Sequence, residues 1–296
     1  MLIFIIFGQY YVCQNVDVED FTLSAGLEAV LFDCDQSKIK TIMGLMFFLF
    51  PAQVAFAWGP EGHSIVGEIA QRHLLPEVQR KVVTDFNIKS LASISDWADQ
   101  IKDSNDQKNR HFTNIEESAR EYDQKRDCPR KECVTEAIPY YAGILEDRSA
   151  SMSERKDALK YLVHYVADVH QPLHLGNKED HGGNDIPLIY GGKHTNLHAL
   201  WDTDLIPHQR GKSLIEYARE LDSRIRDQDI LYWLHSQPVD WANESRQLAL
   251  DFAYSIDLNA EGEVPEEYAL NSGEIIEIQL CRAGIRLASL INQSLK

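Results

Sequence analysis

The chain has 296 residues, 44% of them hydrophobic and 25% charged, with a formal net charge of −17 at pH 7. That length suits one large domain or two modest ones, and the apolar share is enough for a buried core. The acid excess excludes a clamp that grips a polyanion with its own lysines and arginines, but not a protein that meets phosphate through bound cations.

Residues 1–57 read as a leader that is removed, leaving 58–296 as the working domain. Lys38 and Lys40 precede an apolar run, IMGLMFFLFPAQVAFA, ending in Ala55-Phe56-Ala57 with Trp58 next. A charged start, an apolar middle and a small-residue end are the parts of a secretion signal, which implies a secreted or periplasmic protein. A membrane anchor is the alternative, but Pro51 and Gln53 interrupt a run already short for a span. Residues 1–37, with Cys13 and Cys34, exceed what a signal needs.

Beyond Trp58 the elements are helical. Ile65, Val66, Ile69 and Ala70 form an apolar stripe, and Pro76 opens the next helix. His63 by itself suits a helix cap or a surface. Residues 91–104 form a helix with Asp96, Asp99 and Lys102; Asp99 points inward or lies on a solvated face. His111-Phe112 lies in a short extended piece or loop. Residues 116–131 are a polar excursion tied by Cys128 and Cys133, for which a small-loop disulfide is expected in an oxidising compartment and zinc ligation is the alternative. Cys281 is expected to be a buried free thiol. Helices follow over 137–147 and 153–169, the second capped by Ser153 and ended by Pro172. Gly182, Gly183, Gly191 and Gly192 mark a loop. Helical patterns resume over 213–227, 229–234 and 238–256. A polar loop occupies 257–273, and an amphipathic helix closes the chain. Strand signals are weak throughout, so the fold class is all-α, a single compact mainly helical domain.

Residues 159–202 carry the chemistry. His164 and Asp168 stand four apart, and so do His198 and Asp202. On a helix such pairs share a face, so each can hold one ion through imidazole nitrogen and carboxylate oxygen. His170, His174 and His181 lie between them. One HxxxD pair alone is more often a surface or core pair; two of them joined by three histidines point to a metal site.

Set in order, Trp58, His63 five residues later, Trp97-Ala98-Asp99, His111-Phe112, HxxxDxHQPLH at 164–174, Gly182-Gly183-Asn184 and NLHALWD at 196–202 resemble one family. It is the secreted trinuclear-zinc, single-strand-specific nucleases of the S-one/P-one type, cousins of zinc phospholipase C. The resemblance implies three Zn2+ per chain. Asp99, His111, His164 and Asp168 would hold one. The free amine and carbonyl of Trp58, His63 and a shared Asp168 would hold the second, so leader removal completes that site. His174, His198 and Asp202 would hold the third. A hydroxide between the paired ions would attack phosphorus in line, with Asp99, Lys102 and Asp168 as catalytic residues. Single-stranded DNA and RNA would give 5′-mononucleotides, with 3′-nucleotidase activity on 3′-nucleotides. Neither a stable membrane association nor an oligomer is expected.

Lys102 stands where the family usually has Arg, and supplies a point charge without the bidentate fork. Phe112 is a stacking platform for a base or a core residue. Asn114 stands where many members carry an Asp that reads the base, and no pair is evident for the family's longer-range disulfide. Asn184 supports the substrate phosphate or shapes its glycine turn, and His170 orients a ligand. Two other readings remain: a zinc phospholipase C on this scaffold, and a non-catalytic zinc-binding protein.

Overall fold

The computed structural model describes residues 58–102, 108–206 and 212–296, together with the backbone of three strands near the N-terminus. The chain divides into two compact units, Met1–Val54 and Ala55–Lys296. In the first, β1 (Ile3–Ile6) pairs antiparallel with β2 (Gln9–Gln14), which pairs parallel with β3 (Ala29–Asp33). The sequences IFII, QYYVCQ and AVLFD are rich in β-branched and aromatic residues, which favour extended backbone. The apolar run predicted to be cleaved, and its Ala55-Phe56-Ala57 end, lie outside the described residues.

The second unit is mainly helical. α1 (Pro60–Arg72) and α2 (Pro76–Thr84) both open on proline, whose fixed φ suits a first helical position and whose missing N–H costs nothing there. A 3-10 turn at Ala92–Ile94 leads into α3 (Trp97–Ile101), and another at Lys108–His111 into an extended piece. α4 (Gln124–Asp127) is a single turn. α5 (Val134–Glu146) and α6 (Met152–Asp168) form a helical hairpin. α6 is the central element: α1, α3, α5 and the final helix all pack on it.

Ser151, not Ser153, caps α6. Its hydroxyl accepts from the Glu154 amide at 3.2 Å while the Glu154 carboxylate accepts from the Ser151 amide at 2.9 Å. The reciprocal bond needs an acceptor three residues on, and Ser153 has Lys156 there. α6 ends at Asp168, before Pro172. The residue preceding a proline is driven out of the helical region, and Gln171 is extended at φ −83°, ψ 117°. A 3-10 turn, Pro172–Leu175, follows.

The predicted glycine loop contains a hairpin. β4 (Pro187–Tyr190) pairs with β5 (Lys193–Asn196) around Gly191-Gly192, both at positive φ, the conformation a two-residue turn demands when strands twist right-handed. α7 (Leu197–Ala199) runs directly into a π turn, Leu200–Asp204. Then come α8 (Leu214–Ser223), α9 (Asp227–Leu234), α10 (Pro238–Asp251) and α11 (Glu266–Leu295). α11 starts inside the stretch predicted as loop. Glu266 and Glu267 favour a helix N-terminus, and Ser272, Gly273 and Ile276 already join the buried face.

Two buried arginines brace this frame. Arg246 donates to the carbonyls of Glu116, Ala119 and Leu175 and to Asn177 Oδ1, tying the 116–119 segment to the turn after His174. Arg286 holds Glu244 through both Nη atoms and donates to His170 Nε2. Cys128 and Cys133 form the expected disulfide. Cys281 is a buried free thiol, and burial pushes it up to about 12. Among the described residues no helix is long and apolar enough to cross a membrane.

Candidate metal centre

The last turns of α6 bury every side chain from Leu162 to Asp168 completely, including His164 and Asp168. Burying an imidazole and a carboxylate is costly unless partners meet them, so their surroundings are informative. α1 brings His63 against α6, its ring stacked on that of His164 at 3.9 Å between centroids. α3 brings Asp99, and the 3-10 turn before Phe112 brings His111. The three imidazoles converge on one carboxylate, and Asp99 faces two of them. Asp168 Oδ1 lies 3.4 Å from His63 Nε2, and Oδ2 lies 3.1 Å from His111 Nδ1 and 3.3 Å from His164 Nε2. Asp99 Oδ1 is 3.6 Å from His111 Nδ1 and 3.8 Å from His164 Nε2.

A second group stands alongside. His174, His198 and Asp202 bring one donor atom each within 4.8 Å of one another. His198 Nε2 is 3.3 Å from Asp202 Oδ2, and His174 Nε2 is 3.9 Å from Asp202 Oδ1. His174 also faces the first group, with Nδ1 3.8 Å from Asp168 Oδ1. The i, i+4 spacing read from His198 and Asp202 is realised across a helix that widens to a π turn, so both side chains still point inward.

Backbone carbonyls set three of the imidazoles. His164 Nδ1 donates to Ser95 O at 2.7 Å, His174 Nδ1 to His111 O at 2.6 Å, and His198 Nδ1 to Gly182 O at 2.7 Å. Each bond occupies Nδ1 and aims Nε2 at the cavity, the arrangement by which outer partners orient metal ligands. Gln171 uses both ends of its amide: it donates to Asp202 Oδ1 and accepts from the Leu173 amide. The Gly182 carbonyl reaches His198 only because His181, Gly182 and Gly183 all take positive φ, and a Cβ at Gly182 would lie 2.6 Å from Leu173 O.

Several buried atoms are left without a hydrogen-bond partner: both nitrogens of His63, His111 Nε2, Asp99 Oδ2 and Asp168 Oδ1. Each such atom costs about 1–3 kcal/mol when nothing meets it. Oxygen and imidazole nitrogen are what a zinc-like cation takes, and three sets, His63–Asp99–His164, His111–His164–Asp168 and His174–His198–Asp202, could each hold one. The donors therefore fit cations better than they fit one another.

Burial opposes charge on His164, but the Asp168 carboxylate overcomes it and raises the imidazole to about 9. Asp168, despite burial, is held well below the usual carboxylate range by His164 and His111. Burial lowers His63 well below its ordinary value, with the charge of His164 adding to it. His174 and His198 are lowered by burial to about 3 and about 4. Asp202 is raised by burial, against the Gln171 hydrogen bond.

The remaining predicted residues divide between this centre and its surroundings. Trp58 is fully buried, its indole donating to Ala167 O at 2.9 Å, while the Gly59 amide donates to Asp202 O at 2.9 Å. Its main chain is thus tethered between the residues preceding Asp168 and Asp202 itself. Lys102 donates to Asp99 Oδ1 at 3.0 Å. Phe112 and Asn114 are half-buried and line a groove of about 680 Å³ that the disulfide loop closes on its far side. Asn184 is half-buried, and its amide donates to His181 O at 2.8 Å, closing the glycine turn. His170 orients no metal ligand: Nδ1 donates to Val166 O and Nε2 accepts from Arg286. Gln171 went unused in the sequence reading, although its place before Pro172, which forces an extended backbone, marks it as special.

A helical frame that buries a polynuclear cradle of imidazole and carboxylate donors defines a class of metal-dependent hydrolases. Residues 58–296 match the S1/P1 Nuclease family, and the chain belongs to it. It is similar to Endonuclease 3 of Arabidopsis thaliana, 30% identical over 81% of this chain and 89% of that protein. It is also similar to Nuclease P1 of Penicillium citrinum, 29% identical over 80% of this chain and 97% of that protein. Nuclease S1 of Aspergillus oryzae is 35% identical over 57% of this chain and 61% of its own length.

Proposed function

We propose that this chain is a secreted, zinc-dependent phosphodiesterase that cuts single-stranded DNA and RNA to 5′-mononucleotides and removes the phosphate of 3′-nucleotides. The observation that carries this reading is the convergence of His63, His111 and His164 on Asp168, with Asp99 set against His111 and His164 and orphaned buried nitrogens and oxygens among them. Asp99, His111, His164 and Asp168 would hold one ion, the Trp58 amine and carbonyl with His63 and Asp168 a second, and His174, His198 and Asp202 a third. Bound zinc supplies a water of lowered pKa and draws off charge from phosphoryl oxygens.

The chain's own residues do the rest. The carbonyls of Ser95, His111 and Gly182 hold three imidazoles in the ligating tautomer. Lys102 keeps Asp99 turned to the cluster and adds positive charge where a phosphate would gather negative charge. Phe112 offers a face on which an unpaired base can stack, worth about 1–3 kcal/mol, and Asn114 beside it can both donate to and accept from a base edge. A duplex hides its base faces, so a stacking groove favours single strands.

Removal of the leader would expose the Trp58 amine. The family match beginning at Trp58 supports that boundary. The test is metal counting on purified protein, with parallel assays on single-stranded DNA, duplex DNA, RNA and 3′-AMP, before and after chelation. Hydrolysis of single strands that disappears on chelation and returns with zinc is expected. Hydrolysis insensitive to chelation would sink the reading. A form extended upstream of Trp58 should bind one zinc fewer than the form that starts at Trp58.

A further inference from the structure

The groove beside the metal centre has four lining side chains that can carry positive charge: Arg126, Arg130, Lys178 and His181. Three of them are matched by carboxylates of their own neighbourhood. Arg126 holds Asp127 through Nε at 2.7 Å and Nη2 at 2.8 Å, and also donates to Glu121 O. Arg130 pairs with Glu132 at 3.1 Å, and His181 with Asp185 at 2.5 Å. Lys178 is exposed and, among the described residues, no ion pair is found for it. Glu116 shares the lining, so one uncompensated cation decides whether a phosphate is tolerated there.

The position of Lys178 is fixed by backbone. The Thr113 amide donates to His174 O at 2.8 Å, the Ile115 amide to Gly176 O at 2.9 Å, and the Lys178 amide to Ile115 O at 2.8 Å. Two segments therefore run side by side away from the centre, one carrying His111, Phe112 and Asn114, the other His174 and Lys178. Four residues separate Lys178 from His174, at most about 14 Å of chain, and its side chain spans part of that.

We infer that Lys178 is a specificity-determining residue: its ammonium receives the 5′-phosphate of the nucleotide whose base lies on Phe112. This rests on the function proposed above, in which the phosphate being cut is the 3′ one. The other phosphate of the same nucleotide then points along the groove toward Lys178. A nucleotide phosphorylated on both sides, as every internal residue of a polynucleotide is, gains a contact that a 3′-mononucleotide lacks.

The experiment compares kcat/KM for 3′-AMP and for adenosine 3′,5′-bisphosphate in the zinc-loaded enzyme. The unaltered chain should prefer the bisphosphate about fivefold, the scale of one well-placed exposed ion pair. Lys178→Met should abolish the preference and Lys178→Arg should keep it. Arg126→Gln and Arg130→Gln should keep it as well, because those cations are already neutralised. Lys178→Met should also flatten the log–log salt dependence of KM on single-stranded polynucleotide by about 0.7. A preference that survives Lys178→Met, or vanishes with Arg130→Gln, overturns the inference. Cleavage of 3′-AMP with no preference in the unaltered chain overturns this inference alone, whereas no cleavage of 3′-AMP removes the function reading with it.

Discussion

The cluster around Asp168 and the triad of His174, His198 and Asp202 are built from the same two donor types, imidazole nitrogen and carboxylate oxygen, yet solve different electrostatic problems. At the cluster Asp168 faces three imidazoles, stays ionised far below its ordinary range, and lifts His164 to about 9. At the triad burial dominates: both imidazoles stay neutral down to about 3 and about 4, and Asp202 is pushed up. The cluster is charged before any ion arrives, and the triad is close to neutral. The difference follows from partner number. Asp168 sits at the end of a long buried helix where three other elements meet it. Asp202 sits on a π turn and has an amide, Gln171, as its chief support.

That contrast is open to direct attack. Asp168→Asn should have the largest effect, because it removes the carboxylate on which His63, His111 and His164 converge. Activity should fall at least a hundred- to a thousandfold, the scale of losing one preorganised electrostatic group, with helical circular dichroism retained. Bound metal should drop further than it does in Asp202→Asn. Equal losses from the two variants would show that the two groups are not independent.

In the metal-stripped protein His174 and His198 should act on the acid side of neutrality and His164 on the alkaline side. His174 and His198 have folded values below their ordinary 6.5, so the stability they contribute is present above about 6.5 and is lost as pH falls toward 4 and 3. His164 has a raised value, so its contribution is complete below about 6.5 and is lost as pH rises through about 9. Each proton corresponds to about 1.4 kcal/mol per pH unit in these windows. Thermal melts from pH 4 to 10 should therefore peak near the middle and fall on both limbs. A flat alkaline limb would mean that the cluster does not hold the extra proton.

Gln171→Leu should weaken metal binding at the triad about 10- to 100-fold, as loss of an outer partner does, and spare the Asp168 cluster. Competitive chelation that strips one equivalent early and the others late would show this. The smallest expected effect is that of Gly182→Ala. Positive φ and the Leu173 carbonyl 2.6 Å from the new Cβ should cost about 1–3 kcal/mol in unfolding free energy. The accompanying loss of the Gly182–His198 bond should again fall on the triad.

Much of this centre was legible before any coordinates. His164, Asp168, His198 and Asp202 announced themselves because helical spacing maps sequence directly onto one face, and the apolar residues between them showed which face is buried. The mainly helical class followed from the same periodicity. Misreadings gather where local signals compete. Two serines stood near the start of α6, and only Ser151 has a glutamate three residues on. Gly191-Gly192 by itself signals a loop, although the same dipeptide serves a hairpin. Gly273 suggested a break, yet α11 runs through it because its neighbours were already packed.

The chain by itself determined which atoms are available: the imidazoles, the carboxylates, and the helices that carry them in pairs. It could not determine which of those atoms meet. His63 and His164 are a hundred residues apart and stack only because α1 lies on α6. The orienting carbonyls of Ser95, His111 and Gly182 belong to backbone, which carries no sequence signature at all. Lys178 looks like any exposed lysine until Arg126, Arg130 and His181 are seen paired. Donor identity is a covalent property and is written in order along the chain. Convergence, tautomer and net charge at a point depend on distances between segments, and those exist only once the core has closed.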